Sequence, residues 1–305
     1  MSKLKCMAAG MLMLVSSMLL AGNPVIKLGV VADIQYDPET GEHGISSRHY
    51  SEGVTRLSEA VSTFNGVKDL SFVTSLGDMT DHDAMSYSDL KKVADGLEVP
   101  LYNVMGNHEM KSLKTAEEIA EARALKGLEK TYYSFVKGGV RFIVLDCTDY
   151  DMKSHPEGSA RAREAGQWYE DLKSIGAARA QKYNGGIGMD QLNWLESELT
   201  KADRKGQYAI ILCHMLLYPF DTRESLWNSM ETVHLIERHQ CVKAVFCGHR
   251  HSGGYDIRNG IHYVNFKGMV ESDGCRYAVV TIDTASKNIL IKGYGDEVDR
   301  TLECR

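Results

Sequence analysis

The sequence predicts an α/β protein in which two packed β-sheets carry helices on their outer faces. Apolar runs of strand length alternate with helical segments from about residue 26 to residue 247, which is typical of a mostly parallel sheet with helical crossovers. After Gly254 the chain changes to short strands, such as GYDI and IHYVNF across Arg258-Asn259-Gly260. These hairpins predict antiparallel strands beside the parallel ones. Two sheets packed together, with helices outside, satisfy both halves.

The predicted elements follow one another in a regular order. The first strand ends at Asp33, and a helix over about 51–65 follows because Val54, Leu57, Val61 and Phe64 recur at three and four residues. The remaining elements are strand 70–76, helix 88–96, strand 100–105, helix 115–127, two strands in TYYSFVKGGVRFIVLD, helix 189–203, strand 208–213, helix 224–239, strand 243–247, and the late strands in CRYAVVTID and NILIKGY. Residues 148–188 are polar, contain glycine and include a charged helical stretch, so we expect an insertion over the site.

Length and composition favour a single domain over residues 23–305. The chain has 305 residues, of which 43% are hydrophobic and only 5 are proline, so it can bury one large core. The formal net charge is -6, and the chain has no Lys/Arg-rich segment that could bind a nucleic-acid backbone. We therefore expect no nucleic-acid partner.

The first residues predict a secretory signal peptide over 1–22. Lys3 and Lys5 precede an apolar stretch, and the small residues Ala21 and Gly22 follow it. The alternative is an uncleaved anchor helix, although the run is shorter than the ~20 apolar residues that a membrane span needs. We expect an exported protein, periplasmic or secreted, without a membrane span after cleavage. Its cysteines are interpreted as core residues, with a disulfide involving Cys241, Cys275 or Cys304 left open.

Polar residues with good metal-binding groups stand at the ends of five apolar runs. They are Asp33, Gln35, Asp78, Asn107, His214, His249 and His251. Open α/β sheets place their sites just beyond the carboxyl ends of buried strands, so these side chains are expected to meet in one crevice. Carboxylate and amide oxygens mixed with imidazole suit Mn²⁺, Fe or Zn²⁺. Two such ions can polarise a phosphoryl oxygen and activate a water molecule.

The motifs DIQ at 33–35, GDMTD at 77–81, GNHE at 106–109, His214 and GHRH at 248–251 resemble the calcineurin-like metallophosphoesterases, in the order of that family. The segments 183–199 and 253–272 are similar to the manganese-dependent ADP-ribose/CDP-alcohol diphosphatase branch. Most of the superfamily carries His where this chain has Gln35, but Gln is usual in that branch. The resemblance implies a four-layer sandwich of two mixed β-sheets flanked by helices.

The same resemblance implies a role for each site residue. Two divalent metal ions, most often Mn²⁺ in that branch, would be held by two sets: Asp33, Gln35 and His251 for one, and Asn107, His214 and His249 for the other. Asp78 would bridge both ions and take part in catalysis. His108 would stabilise the transition state and protonate the leaving group. The implied substrate is a small nucleotide-type phosphoester, cleaved at a phosphoanhydride bond by a metal-activated hydroxide.

Several alternatives stay open at the level of sequence. The same scaffold supports a phosphomonoesterase or a cyclic-nucleotide phosphodiesterase, and a non-catalytic protein with bound metal is a third reading. Glu109 is expected to orient a ligand histidine, and Asp81 either does the same or caps a helix. Arg250 should turn away from the ligands if its segment is extended. Arg48, His49 and the loop 183–186 are candidates for substrate contact.

Overall fold

A computed structural model describes residues 25–39, 47–81, 84–111, 113–271 and 273–304. The predicted signal peptide, residues 1–22, lies outside the described residues. Within the described ranges, no helix is both long enough and apolar enough to cross a membrane.

The strands and helices are numbered in chain order. The strands are β1 (Ile26–Val31), β2 (Leu70–Ser75), β3 (Leu101–Asn103), β4 (Tyr133–Lys137), β5 (Val140–Val144), β6 (Tyr150–Asp151), β7 (Gly185–Gly186), β8 (Ala209–Leu212), β9 (Val242–Cys247), β10 (Gly254–Arg258), β11 (Ile261–Asn265), β12 (Tyr277–Asp283), β13 (Asn288–Tyr294) and β14 (Arg300–Glu303). The α-helices are α1 (Gly53–Asn65), α2 (Tyr87–Ala94), α3 (Ala116–Leu125), α4 (Ala160–Ser174), α5 (Met189–Arg204) and α6 (Ser229–Ile236).

Two mixed six-stranded sheets form the centre of the molecule. The first has the order β14-β13-β12-β1-β2-β3, and the second has the order β10-β11-β9-β8-β5-β4. In the first sheet β1, β2 and β3 are parallel, and β12 pairs antiparallel with β1. In the second sheet β11, β9, β8 and β5 are parallel, with the antiparallel strands β10 and β4 at the edges. The predicted mixture of parallel and antiparallel strands is confirmed.

The main core lies between the two sheets. It contains Phe72 of the first sheet and Phe142 and Phe246 of the second, all fully buried. A second apolar layer packs α1 and α2 against the outer face of the first sheet, through residues such as Phe64 and Leu90. A third packs α5 and α6 against the second sheet. Helices therefore cover both outer faces, which confirms the predicted helix–sheet–sheet–helix layers.

Two sequence predictions of local structure differ from the fold. The helix predicted over 224–239 begins only at Ser229, because residues 216–228 form turns around a cis Tyr218-Pro219 bond. The strand β14 was not predicted, since only Leu302 of its four residues is buried and it shows no apolar run. It closes the antiparallel end of the first sheet against β13.

The segment 148–188 contains β6, α4 and β7 and packs through its aromatic residues. Trp168 contacts Trp227 with ring centroids 5.7 Å apart, and Tyr150 and Tyr169 join this cluster. Trp194 packs against the core of the second sheet. The three tryptophans are thus packing residues. The six cysteines within the described part of the chain are buried, free thiols.

Candidate metal centre

All seven predicted ligands lie just beyond the carboxyl ends of strands. Asp33 and Gln35 follow β1, Asp78 follows β2 and Asn107 follows β3, while His214 follows β8, and His249 and His251 follow β9. The first sheet therefore supplies the oxygen donors and the amide of Gln35, and the second sheet supplies the imidazoles. The structure brings the seven residues together at one end of the sandwich.

The backbone at this end adopts an unusual conformation. Asp33, Gln35, Asp78 and His249 have positive φ angles of 50°, 47°, 54° and 69°. Left-handed conformations in residues other than glycine cost of order 1–3 kcal/mol each and concentrate at functional sites. Backbone hydrogen bonds hold the two loops of the first sheet in register, with Asp33 N–H donating to Gly77 O at 3.1 Å and Gln35 N–H donating to Asp78 O at 2.8 Å.

One set of side chains surrounds Asp78 from the side of the second sheet. His214 Nε2 lies 3.3 Å from Asp78 Oδ2 and 3.1 Å from Asn107 Oδ1. His249 Nδ1 lies 3.1 Å from the same His214 nitrogen. One donor atom from each of Asp78, His214 and His249 fits within 4.8 Å of the others. This is the set that the family resemblance assigns to one ion.

The other set contacts the same carboxylate through Gln35. His251 Nε2 is 3.4 Å from Asp33 Oδ1 and 3.2 Å from Gln35 Nε2. Gln35 Nε2 is also 3.2 Å from Asp78 Oδ2. Asp78 Oδ2 thus faces both sets, which is the position that a bridging carboxylate needs.

The hydrogen bonds of the two histidines show that the first set fits a cation. His214 Nδ1–H donates to Leu76 O at 2.8 Å, so in the neutral ring the lone pair is on Nε2. His249 Nε2–H donates to Asn184 Oδ1 at 2.8 Å, which leaves the lone pair on Nδ1. These two nitrogens face each other beside the oxygens of Asp78 and Asn107. With both rings neutral, four acceptors are directed at one space, and this donor set fits a divalent metal ion.

Gln35 is oriented differently from the ligand that the resemblance implies. Its amide nitrogen faces Asp78 and His251, while its oxygen accepts a hydrogen bond from Arg48 at 3.2 Å. Arg48 in turn donates to Glu271 at 2.8 Å, and Glu271 lies 3.1 Å from His251 Nδ1. Ligation through the oxygen of Gln35 requires its amide to turn over and to release Arg48. Arg48 and Glu271 therefore set the orientation of this set.

His108 lies beside Asp78 and is held by Asp81. Its backbone N–H donates to Asp78 Oδ1 at 2.9 Å, its Nδ1 contacts Asp81 Oδ1, and its Nε2 is 3.8 Å from Asp78 Oδ2. Asp81 thus contacts a histidine, but one that belongs to neither ligand set. An imidazole oriented by a carboxylate, with its other nitrogen directed into the site, is suited to proton transfer.

The expectation that Glu109 orients a ligand histidine is wrong. Its carboxylate accepts from the backbone N–H groups of Met79 at 2.8 Å and Gly106 at 3.0 Å, and it lies 3.7 Å from Lys126 Nζ. Glu109 is buried behind the ligand loops, where peptide groups rather than imidazoles are in reach. It therefore fixes the two loops of the first sheet relative to each other.

A cleft of about 530 Å³ opens above the two ligand sets. The prediction that Arg250 turns away from the ligands does not hold, because His249 is left-handed and the segment is not extended. Arg250 lines the cleft, with Nε 3.7 Å from Glu224 Oε2. Arg48 also lines the cleft, whereas His49 pairs with Glu52 at 3.2 Å.

Several residues of the cleft were not predicted from the sequence. Asn184, in the loop 183–186 noted above, bonds His249 across 65 residues of chain. Glu271 lies within the branch-like segment 253–272 but had no assigned role. Lys111 and Lys153 line the cleft without belonging to any motif. Only their spatial position identifies them.

The charges in the site shift the pKa values of its histidines in opposite directions. Burial lowers the pKa of His214, but the carboxylates of Asp78 and Asp33 outweigh it and raise the pKa to about 10. Burial and the neighbouring His214 hold the pKa of His249 well below its usual range. For His251, burial is outweighed by hydrogen bonds to Asp33 and Glu271, which raise the pKa to about 9. In the metal-free protein, protons therefore occupy places that a cation would take.

Comparison with known proteins agrees with this geometry. The sequence profile described as Calcineurin-like phosphoesterase matches residues 26–253. The chain belongs to the calcineurin-like phosphoesterase family. It is 28% identical to a rice protein and 29% identical to a mouse protein, both named manganese-dependent ADP-ribose/CDP-alcohol diphosphatase, and each alignment covers 92% of this chain and 94% of the relative. A dimetal phosphatase from Danio rerio has the same fold, with a TM-score of 0.79, 24% identity and coverage of 92% of this chain and 100% of the other.

Family membership and the donor set together establish the general chemistry. The chain is a metal-dependent phosphohydrolase whose cofactors are two divalent metal ions. The two sets of side chains around Asp78 are the residues that would hold them. The individual roles of the seven ligands and of His108 remain predictions.

Proposed function

We propose that this phosphohydrolase is a manganese-dependent diphosphatase that hydrolyses the phosphoanhydride bond of nucleoside diphosphate compounds such as ADP-ribose or CDP-alcohols. The observation that carries the proposal is a cleft with two ligand sets at its floor and lysine and arginine side chains on its walls. Relatives that carry this activity in their names align over more than nine-tenths of both chains. The mixture of carboxylate, amide and imidazole donors suits Mn²⁺.

The proposed reaction assigns tasks to the two ligand sets, to His108 and to the cationic side chains of the cleft. When bound, the two ions polarise a phosphoryl oxygen and lower the pKa of a water molecule. Asp78 keeps the two ligand sets together through its shared oxygen. His108, held at Nδ1 by Asp81, directs Nε2 towards the reacting group and gives a proton to the leaving oxygen. The cationic side chains neutralise the phosphoryl oxygens of the substrate.

A phosphomonoesterase or a cyclic-nucleotide phosphodiesterase is the second candidate, since the same ligand sets serve both. The cleft favours the diphosphatase because Arg48, Arg250, Lys111 and Lys153 all line it. A substrate with one phosphoryl group would leave part of this positive charge unused. A protein that only binds metal would have no use for an imidazole held in place by Asp81.

A substrate panel with the purified protein tests the proposal. ADP-ribose, CDP-choline, AMP, a cyclic nucleotide and bis(4-nitrophenyl) phosphate are each offered with Mn²⁺, Fe²⁺, Zn²⁺ or Mg²⁺, and the products are separated by chromatography. We expect ADP-ribose or CDP-choline with Mn²⁺ to give the highest kcat/KM, with a mononucleotide as one product. Preference for AMP or for the cyclic nucleotide would contradict the proposal, and a complete lack of turnover with metal bound would favour a binding protein.

We also propose that the protein is exported. The composition of residues 1–22, with two lysines before an apolar stretch and small residues after it, supports this location. Expression of the full chain in a bacterial host, followed by fractionation and amino-terminal sequencing, tests it. A mature terminus near Gly22 to Pro24 in the periplasm or medium is expected. An intact amino terminus in the cytoplasmic fraction would refute the proposal.

A further inference from the structure

Two lysines stand on the same wall of the cleft as His108. Lys111 lies in the loop that follows the GNHE motif, and its Nζ is 3.8 Å from Asp81 Oδ2. Lys153 comes from the insertion 148–188, and both lysines line the cleft together with Asn107 and His108. Neither lysine belongs to the ligand sets around Asp78.

Lys153 differs from the other basic side chains of the cleft in its lack of a counter-ion. Arg48 pairs with Glu271 at 2.8 Å and Arg250 faces Glu224 at 3.7 Å. Lys153 Nζ makes no hydrogen bond and no ion pair within 4 Å to any residue in the part of the chain that the structure describes. Burial lowers the pKa of Lys153, and the positive charge of Lys111 lowers it further against the opposing effect of Asp151. A partly buried ammonium next to a second one calls for an anion.

The turn that carries Lys153 is fixed by a buried carboxylate. Asp151 is 2% exposed, and its Oδ1 accepts the backbone N–H groups of Lys153 at 3.1 Å and Ser154 at 2.6 Å. Its Oδ2 accepts the hydroxyl of Ser154 at 2.9 Å. These hydrogen bonds use both carboxylate oxygens to stabilise the turn, and Asp151 acts on Lys153 Nζ through its charge without a direct ion pair. The lysine is thereby held at the wall of the cleft.

The chemistry of a diphosphate explains why these cations lie beside His108. Hydrolysis forms a bond between the oxygen of water and one phosphorus, and it breaks the bond from that phosphorus to the bridging oxygen. The bridging oxygen leaves with the second phosphoryl group and takes up a proton. The group that donates this proton must therefore lie next to the second phosphoryl group, and His108 has Lys111 and Lys153 at its side.

We propose that Lys111 and Lys153 bind the second, leaving phosphoryl group of a diphosphate substrate and so select diphosphates over substrates with one phosphoryl group. This inference rests on the proposed diphosphatase function and assigns a site within it. Lysine serves as a point charge for phosphate, and such hydrogen bonds between charged groups are stronger than neutral ones. As the bond to the bridging oxygen breaks, negative charge develops on the second phosphoryl group, and the same two lysines stabilise it until that oxygen is protonated.

Paired kinetics on the manganese-loaded protein test the proposal. Lys153→Met and Lys111→Met are compared with wild type on ADP-ribose, which has two phosphoryl groups, and on bis(4-nitrophenyl) phosphate, which has one. Each variant removes a charge-assisted hydrogen bond to the second phosphoryl group, so it should lower kcat/KM for ADP-ribose by about tenfold or more. The value for bis(4-nitrophenyl) phosphate should stay close to that of wild type. Calorimetric titration with α,β-methylene-ADP, which is not hydrolysed, should show the same loss of affinity.

Matched variants separate the charge from the fold. Lys153→Arg keeps the charge and should retain the preference for ADP-ribose. Lys173→Met removes an exposed lysine from α4, where its Nζ lies 3.5 Å from Glu170 and 5.7 Å from the centre of the Tyr169 ring, away from the cleft, and should behave as wild type. Thermal unfolding midpoints equal to that of wild type show that the variants are folded.

Two results would overturn the proposal in different ways. Equal losses on both substrates, or no loss on either, with wild-type turnover of ADP-ribose intact, would refute the lysine site alone. Failure of the wild-type protein to hydrolyse any diphosphate would refute the proposed function, and the site with it. The lysine site is tested by comparing each variant with wild type, whereas the proposed function is tested with the wild-type protein alone. The two failures can therefore be distinguished.

Discussion

Gln35 shows how a single side chain can make the two ligand sets unequal. An amide oxygen replaces an imidazole nitrogen in the set with Asp33 and His251, and in the metal-free protein that oxygen is bonded to Arg48. Metal binding here requires the amide to turn and to give up a hydrogen bond. The other set contains two imidazoles whose ring nitrogens, Nε2 of His214 and Nδ1 of His249, already lie 3.1 Å apart.

We therefore expect manganese to bind in two steps, with the set of Gln35 filled second. Titration of the metal-free protein with Mn²⁺, followed by electron paramagnetic resonance of the free ion, measures both steps. Gln35→His should bring the second step closer to the first, because it adds a nitrogen donor and removes the bond to Arg48. Equal affinities in the wild-type protein would count against this account.

The pair of His108 and Asp81 gives a prediction about turnover. His108→Ala should lower kcat by roughly the 10²–10⁴-fold of a lost general acid while both metal-binding steps persist, since His108 belongs to neither ligand set. Asp81→Asn should give a smaller loss, because the ring stays but loses its carboxylate. Asp78→Asn is the contrasting variant and should lose metal and activity together. Steady-state kinetics beside metal analysis distinguish these results, and full activity in His108→Ala would contradict the role.

At the scale of elements, small residues allow the ligand loops to approach one another. A side chain at Gly106 would place its Cβ 2.2 Å from Asp78 Oδ1 and 2.7 Å from Glu109 Oε2. One at Gly77, which has a φ angle of 97°, would lie 2.6 Å from His214 Nδ1. Each glycine directly precedes a predicted ligand, so the close contact and the ligand position depend on the same turn.

Gly106→Ala should therefore destabilise the protein and impair metal binding at once. The cost should be of order 1–3 kcal/mol, the range for overpacked sites, and it is measured by urea unfolding of the metal-free protein. Gly166→Ala is the matched control, because Gly166 lies in α4 with no atom within 4 Å of the added Cβ. That change should stabilise the helix by roughly 0.5–1 kcal/mol. A neutral Gly106→Ala would show that the loops can move apart.

The sequence predicted these elements well wherever apolar residues marked them. The buried runs at β1, β2, β8 and β9 gave the strands and the positions of the ligands that follow them. The periodicity of apolar residues does not predict the left-handed turns. The φ angle of 50° at Asp33, for example, is held by a hydrogen bond to Gly77, which follows the neighbouring strand β2. The same limit explains the error at Arg250, whose direction depends on the turn at His249.

At the scale of the whole molecule, the metal centre connects the two sheets. Asp33, Asp78 and Asn107 come from the first sheet, and the three histidines come from the second. Ions bound between them stabilise the packed sandwich in addition to its apolar core. A ligand at a hundredfold excess over its dissociation constant adds about 2.7 kcal/mol of stability.

Removal of the metal should lower the thermal midpoint, and the difference should grow with pH. The ordinary pKa of His214 is 6.5, and in the folded metal-free protein it is about 10. Its contribution to stability is complete below about pH 6.5 and is lost as pH rises towards 10. In the metal-loaded protein no proton competes at this nitrogen, so the gap between loaded and chelated protein should widen from pH 6.5 to 9.5. Differential scanning calorimetry measures both midpoints, and a gap that narrows with pH would contradict the prediction.

The long-range contacts of the site are the part that the sequence alone could not provide. The order of the motifs indicated that the seven ligands meet, because each ligand follows the carboxyl end of a predicted strand. The contacts of His249 with Asn184, and of His251 with Glu271, join parts of the chain that no local pattern relates. Lys153 reaches the cleft only because the insertion folds back over it, and its place there follows from β6 pairing with β7.

Asn184 connects the insertion to the predicted ligand His249. Its amide nitrogen donates to the carbonyls of Arg179 and Arg223, and its oxygen accepts a hydrogen bond from His249 Nε2. The orientation of that imidazole therefore depends on peptide groups in two loops, at Arg179 and Arg223. Mutations in those loops would change the orientation of His249 while every coordinating side chain stayed the same. New substrate specificities would then evolve through residues that do not contact the metal ions.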